Sequence, residues 1–230
     1  MKNYSLSTSI PNSSKYSIRI KTIIDQISYP KIADIGTDHG YIPIFSCLLG
    51  KADFAIACDI RQAPLSVAKK NITSYNLSHC IQIRLGDGMS PILPKEVQCV
   101  TLSGLGGESI INILKNGGHV LQYLNQMVIS PQSSCHKVRR FIHKIDWKIT
   151  QEHFLIQNNR PYNFLTCQPG IEPLYSEHEY ILGKLLIQKK GPDYVNYVHQ
   201  KREKLIKIHK NACKAKQAQL NELIKIYSYL

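Results

Sequence analysis

The nine residues Ile32-Ala33-Asp34-Ile35-Gly36-Thr37-Asp38-His39-Gly40 restrict the fold more than any other part of the chain. A short apolar run passes into a loop bounded by two glycines, and a new apolar segment starts at Tyr41. The pattern predicts a strand, a tight turn and the start of a helix. In α/β proteins such a turn lies at the carboxyl edge of a parallel strand, where a ligand reaches backbone N–H groups and a helix N-terminus.

The same alternation continues along the chain. Ile20, Ile23, Ile24 and Ile27 stand at helical spacing ahead of a first strand over 31–35, and Pro30 separates the two. Pro43 suits the first turn of a helix running to about Gly50. Phe54-Ala55-Ile56-Ala57-Cys58 is a continuous apolar run, as expected for a strand buried on both faces, and it ends at Asp59. A helix follows through Leu65, Ala68, Ile72 and Tyr75. Strands over 80–85 and 97–102 are closed by Gly86-Asp87-Gly88 and by Ser103-Gly104-Leu105-Gly106-Gly107. A helix then runs to Leu114, a fifth strand includes Met127-Val128-Ile129, and Val138, Phe141, Ile142 and Ile145 mark the next helix.

Beyond Trp147 the alternation stops. The runs 147–156 and 162–167 are separated by Gln157-Asn158-Asn159-Arg160-Pro161, too few residues for a crossover helix, so they predict an antiparallel hairpin ending a parallel sheet. Asn159-Arg160-Pro161-Tyr162 resembles the Asn-Pro-Pro-Tyr motif of amine methylating enzymes, but it falls in this late hairpin and reads as a turn. From about residue 176 the pattern is helical. Val198, Lys201, Leu205, Ile208, Ala212 and Ala215 approximate an a/d seam that slips before Leu220, Leu223, Ile224 and Tyr227, predicting a helical hairpin or a short coiled coil with a stutter.

At 230 residues the chain can build one sizeable α/β domain plus a smaller appendage. Its formal charge of +13 points to a polyanionic partner such as RNA or DNA, with a merely solvated basic surface as the plainer alternative. From Lys184 onward eleven Lys and Arg face only Asp193, Glu203 and Glu222, a net +8, so most of the excess lies in the tail. Phosphate contacts by that tail are the expected use, against a solvated helix face. Seven cysteines without a C-x-x-C pair, and histidines without metal spacing, argue against structural zinc and a disulfide framework and for a reducing cytoplasm. Met1 to Ser14 is polar and lacks signal-peptide features, and no apolar run approaches a bilayer span. The expectation is a soluble protein with no metal and no membrane contact. The pattern leaves the oligomeric state open, with a monomer as the simplest case.

Acidic and glycine residues close three strands in succession: Asp34-x-Gly36-x-Asp38-x-Gly40, then Asp59, then Gly86-Asp87-Gly88. A carboxylate 25 positions after Asp34, at the end of the second strand, suits ribose hydroxyls. Asp87 can accept from an adenine amino group, and Gly36 and Gly40 let backbone pass close beneath a ligand. The loop is not G-x-G-x-x-G, and a pyrophosphate would meet Asp38 there. A cofactor without phosphates is favoured, and S-adenosylmethionine, with its cationic sulfonium and amino group, suits an acidic loop. Taken singly, Asp38 reads equally well as a helix N-cap, and His39 as a satisfied loop histidine.

The run Ala33-Asp34-Ile35-Gly36-Thr37-Asp38-His39-Gly40-Tyr41-Ile42-Pro43, with Arg84 to Gly88 and Ser103 to Gly107, resembles the TrmK family of bacterial tRNA methyltransferases. That resemblance covers roughly 16–170, and the basic tail resembles the family's C-terminal helical domain in kind; the acidic-glycine spacing alone says class I methyltransferase. It implies a Rossmann-like class I methyltransferase sheet with a terminal antiparallel hairpin, plus a helical or coiled-coil C-terminal domain. Residues 1–170 would bind S-adenosylmethionine, and 171–230 would bind tRNA. The implied reaction is methylation of N1 of adenine 22 in tRNA, with Asp38 as catalytic residue. Cofactor contacts are expected from Asp34, Gly36, Asp38, His39, Gly40, Asp59, Asp87, Gly88, Ser103 and Gly104. The chain departs from the family pattern at Ser103, Leu105 and Ser130-Pro131-Gln132. Competing readings are a class I methyltransferase for another RNA base or a small molecule, and a noncatalytic RNA-binding protein that keeps the fold.

Overall fold

The computed structural model describes residues 16–230, so the polar segment 1–14 lies outside the described residues. Helix α1 (Ile18–Asp25) starts at Ser17, whose Oγ accepts from the Ile20 N–H at 3.4 Å, and buries Ile20, Ile23 and Ile24. Then come β1 (Lys31–Ile35), α2 (Tyr41–Leu48), β2 (Phe54–Asp59), α3 (Gln62–Ser74) and β3 (Ile81–Leu85). The second half of the alternation is β4 (Cys99–Ser103), α4 (Gly107–Asn116), α5 (Gly118–Leu121), β5 (Gln126–Ser130) and α6 (Cys135–Lys144). Strands β6 (Trp147–Gln157) and β7 (Arg160–Pro169) precede four helices, α7 (Glu177–Leu182), α8 (Lys184–Lys189), α9 (Pro192–Lys210) and α10 (Lys214–Tyr227).

One seven-stranded sheet has the order β3-β2-β1-β4-β5-β7-β6. Strands β1 to β5 pair in parallel, and β7 pairs antiparallel with both β5 and β6. The run in β2 is fully apolar because helices cover both faces of the sheet there. Alternate residues of β1 serve opposite faces. Ile32 packs with Ile24, Phe45 and Ile72, whereas Ala33 and Ile35 pack with Ile110, Leu114 and Val138. Strand order reverses at β1, between β2 and β4, and such a switch point opens a crevice beyond the carboxyl ends of the strands.

The predicted hairpin forms, but with a tighter turn than the five-residue spacer suggests. Gln157 pairs with Arg160, leaving a two-residue turn of Asn158 and Asn159 at φ 51° and 58°. Asparagine is among the few side chains that tolerate two successive left-handed residues.

The slip in the C-terminal seam proves to be a chain reversal between α9 and α10, so the helices form a hairpin. Among the seam positions only Val198 and Leu220 are buried, while Lys201 and Ala215 are exposed. Val198 belongs to a small core with Leu182, Leu186, Ile187 and Tyr194 that packs on Phe154 of β6. The helices are therefore seated on the terminal hairpin of the sheet. Among the described residues no helix is long and apolar enough to cross a membrane.

Candidate active site

A cleft of about 250 Å³ lies at the switch point, walled by the loops after β1, β2 and β4 and by α1. Asp34, Gly36, Thr37, Asp38, His39 and Gly40 supply one side, and Asp59, Ser103 and Gly104 face them. Every predicted cofactor residue except Asp87 and Gly88 lines this cleft. Asp87 is exposed and closes β3, one strand further out, while Gly88 packs near Ile113.

Two N–H groups of the first loop are already used within the sheet. Gly36 and Thr37 both donate to the Cys58 carbonyl, at 2.9 and 2.8 Å. These two amides are therefore not available to a ligand, and the carboxylates of Asp34 and Asp38 are the polar groups this turn brings to the cleft. Gly36 has φ +78°, and a Cβ there would meet Leu105 Cδ2 at 3.0 Å, so the backbone of this turn must stay bare against the β4 loop.

Asp34 is 4% exposed and accepts from Thr101 Oγ1 at 2.6 Å. Burial pushes its carboxyl up to about 6, and the Thr101 hydroxyl opposes that shift. Thr37 is buried beside it. Its hydroxyl is near enough to hold the Asp34 carboxyl down, yet Oγ1 makes no hydrogen bond of good geometry. A buried carboxyl whose charged form burial penalises, beside a hydroxyl without a hydrogen bond, suits a cationic donor such as an amino group that would stabilise that charge.

Asp38 is not a helix cap. The N-cap of α2 is Gly40, in the left-handed region at φ 72°, so the Asp38 side chain is left at the cleft mouth with 69% of it exposed. Its Oδ2 lies 3.2 Å from His39 Nε2, and the His39 ring stacks on Tyr41 at 5.5 Å between centroids. Asn71 Nδ2 of α3 donates to the His39 carbonyl at 2.8 Å and fixes the loop from behind.

Asp59 is 5% exposed, and both bonds it accepts from Arg61, from N–H at 2.8 Å and Nε at 3.4 Å, fall on Oδ1. A buried carboxylate at the end of β2 facing a cleft fits a ribose diol. Across the cleft, Gln132 N–H donates to the Leu105 carbonyl at 2.9 Å and ties the loop after β5 to the loop after β4. Arg19, Tyr41, Arg61 and Gln132 are cleft residues beyond the predicted set. Gln132 had a signal, its place directly after the strand next to β4. Arg19 had none, because only tertiary packing brings α1 over the sheet edge.

A family model described as tRNA (adenine(22)-N(1))-methyltransferase, TrmK, matches residues 32–228. That stretch takes in both the cleft and the C-terminal helices. The chain belongs to the TrmK family. A Bacillus subtilis tRNA (adenine(22)-N(1))-methyltransferase is 31% identical over 160 residues, 69% of this chain and 67% of that protein. The structure of M. capricolum TrmK in complex with S-adenosyl-homocysteine is 28% identical, covers 92% of this chain and 96% of its own, and superposes with a TM-score of 0.83. A Streptococcus pneumoniae protein solved with S-adenosyl-L-methionine is 26% identical over 92% of this chain and 97% of its own, with a TM-score of 0.85. A Rossmann-like class I methyltransferase sheet ending in an antiparallel hairpin is thus shown for this chain, and the two relatives were solved with S-adenosylmethionine or its demethylated product.

Proposed function

We propose that this protein transfers a methyl group from S-adenosylmethionine to N1 of an adenine in tRNA, with adenine 22 as the target. The observation that carries this reading is the cleft itself: three carboxylates gathered beyond β1 and β2, with Gln132 on the side where a base would enter. When bound, S-adenosylmethionine supplies a methyl group on a positively charged sulfur. Asp59 holds the ribose hydroxyls. Asp34 and Thr37 receive the amino group, and Asp87 with Gly88 guards the adenine edge from the end of β3. Ser103 and Gly104 form the floor on the substrate side.

N1 of adenine carries an in-plane lone pair, so the protein needs no covalent intermediate and its task is positioning. In a paired stem N1 is occupied, so the base must be turned out to reach the cleft. The methylated ring is cationic. Asp38, exposed at the cleft mouth, stabilises that developing charge and can take the proton linked to N6. Residues up to 170 perform this chemistry, and residues 171–230 grip the tRNA through phosphates. A tRNA substrate implies a cytoplasmic enzyme, and one chain supplies the whole cleft, so a monomer suffices.

The test separates the two acidic roles. Asp38→Ala should fold and bind S-adenosylmethionine normally yet lose at least about 100-fold in kcat, a loss of the size expected for a positioned acid or base. Asp59→Ala should instead raise the calorimetric Kd for S-adenosylmethionine. Mapping the methylated nucleotide in bulk tRNA identifies the target. Near-normal turnover by Asp38→Ala removes that residue from the mechanism, and an undetectable cofactor titration in the wild-type protein leaves only an RNA-binding role.

A further inference from the structure

A second cavity, of about 370 Å³, opens where the loop after β5, the start of α6, the β6–β7 hairpin and helices α7, α9 and α10 meet. Gln132 lines both this cavity and the cofactor cleft, so the two are neighbours on the side where the substrate base enters. Its basic lining is His136, Arg139 and Lys201, with Arg139 already paired to Glu152 behind the wall, and no carboxylate lines the cavity itself. Tyr194, Tyr197 and Tyr227 supply aromatic surface, with Lys201 Nζ 5.7 Å from the Tyr197 ring centre.

The end of the cavity nearest the cofactor cleft suits an anion. Helix α6 points its N-terminus there, and its N-cap Ser134 sits at φ 51° without making a side-chain cap. Arg139 is 1% exposed and nearly saturated: Nε donates to Glu152 Oε1 at 2.7 Å, and Nη1 to the carbonyls of Tyr180 and Ile181 at 2.8 and 3.3 Å. Its Nη2 has no hydrogen-bond partner. That nitrogen is closed off beside Gly183 and the Glu152 carboxylate, so Arg139 stiffens this wall of the cavity and leaves ligand contact to Lys201, His136 and the helix terminus. Burial, with Lys137, Arg140 and Arg139 nearby, holds the His136 imidazole below its ordinary range, so it meets a ligand as a neutral hydrogen-bonding ring.

We propose that this cavity binds the phosphate of the tRNA nucleotide next to the target adenine, with that nucleotide's base against the tyrosine wall. The inference rests on the tRNA-methylation reading and deepens it. A cationic pocket with aromatic surface suits a splayed single-stranded nucleotide, whereas exposed lysines on a helix only track a backbone. A flipped adenine displaces its neighbour's phosphate toward one side of the cleft, and Gln132 sits between the two sites.

Phosphate-ethylation interference with the full chain tests this. Wild-type protein should select against tRNA ethylated at a phosphate flanking the target adenine. His136→Ala/Lys201→Ala should lose that single interference and at least about tenfold in kcat/KM, with the Kd for S-adenosylmethionine and the melting temperature unchanged. Lys207→Ala/Lys210→Ala, two exposed lysines away from the cavity, should weaken tRNA binding but keep the interference. An unaltered interference pattern in the cavity variant overturns the proposal. So does a shift of the His136 ring resonances on titrating inorganic phosphate alone at submillimolar concentration, which would make the cavity a free-anion site. If wild-type protein methylates no tRNA, the failure belongs to the functional reading; if it does and only the cavity variant behaves normally, the failure belongs to this inference.

Discussion

Asp34 shows what a sequence pattern can and cannot carry about a single residue. Its place at the end of β1 is legible from Ile32-Ala33-Asp34-Ile35-Gly36, since the apolar run and the glycine fix strand and turn. Its state is not legible, because that depends on burial and on Thr101, 67 positions away. With the folded carboxyl raised to about 6 from an ordinary 3.8, Asp34 stabilises the fold below pH 4 as a neutral acid, and that contribution is lost as pH rises through 6. At pH 7.5 the buried charge costs on the order of 2–3 kcal/mol. Asp34→Asn keeps an acceptor for Thr101 and carries no charge. It should therefore melt higher than wild type at pH 7.5 without ligand, and no higher at pH 4, in parallel thermal scans. It should also bind S-adenosylmethionine more weakly, because the amino group loses its counter-charge. A constant difference between the two proteins across that pH range would rule out Asp34 as the source. Asp38 carries the opposite lesson: taken singly its sequence position suits a helix cap as well as a functional carboxylate, and only the fold assigns the cap to Gly40.

At the scale of elements, all seven strands and their order of appearance follow from apolar runs bounded by glycine, proline and acid. What the pattern does not encode is how one loop leans on another. The glycine-rich run from Ser103 reads as a bare surface for substrate, yet its last glycine serves a neighbour instead. A Cβ on Gly107 would stand 2.6 Å from the Ser133 carbonyl oxygen and 3.0 Å from that of Ser134, both backbone atoms of the loop after β5. That contact joins segments 26 residues apart and leaves no local trace. Gly107→Ala should cost about 1–3 kcal/mol, as overpacking against rigid backbone does. It should also weaken cofactor binding, because Ser103, Gly104 and Gln132 move with these loops. Gly118→Ala is the matched control. Nothing lies within 4 Å of its Cβ position and it begins a helix, so its stability should stay within about 0.5 kcal/mol or rise. Equal melting temperatures for the two variants would mean that the contact between the loops is not tight in solution.

For the whole molecule, composition exposes a basic tail of net +8 but not how the tail is joined to the sheet. The join is a buried ion pair. Arg139 of α6 and Glu152 of β6 are 1% and 0% exposed, and Glu152 Oε2 accepts from the Leu185 N–H at 3.0 Å while Arg139 donates to the Tyr180 carbonyl. His143 adds a second tie, its Nδ1 against Tyr180 OH at 2.8 Å and its Nε2 against Glu172 at 2.9 Å. Cutting the chain after residue 175 would leave Arg139 on Glu152 and His143 on Glu172 but remove Tyr180 and Leu185 from them and expose Phe154, so a truncated protein should unfold at lower temperature and lose cofactor binding along with tRNA. Each buried hydrogen bond to a charged group that is left unmade costs about 1–3 kcal/mol, a sizeable share of a domain's stability. Neutralising charge without removing packing isolates the electrostatic role. Lys204, Lys207, Lys210 and Lys214 are exposed on the α9–α10 hairpin. Changing all four to Gln should leave the melting temperature and the S-adenosylmethionine Kd in place. If each lysine meets a phosphate, the salt dependence of tRNA binding should flatten by about 3 in the slope of log K against log salt, since each lost contact removes roughly 0.7–0.9. A slope equal to that of the wild type would reduce this basic face to a solvated surface and shift the burden of tRNA recognition onto the cleft and the cavity beside it.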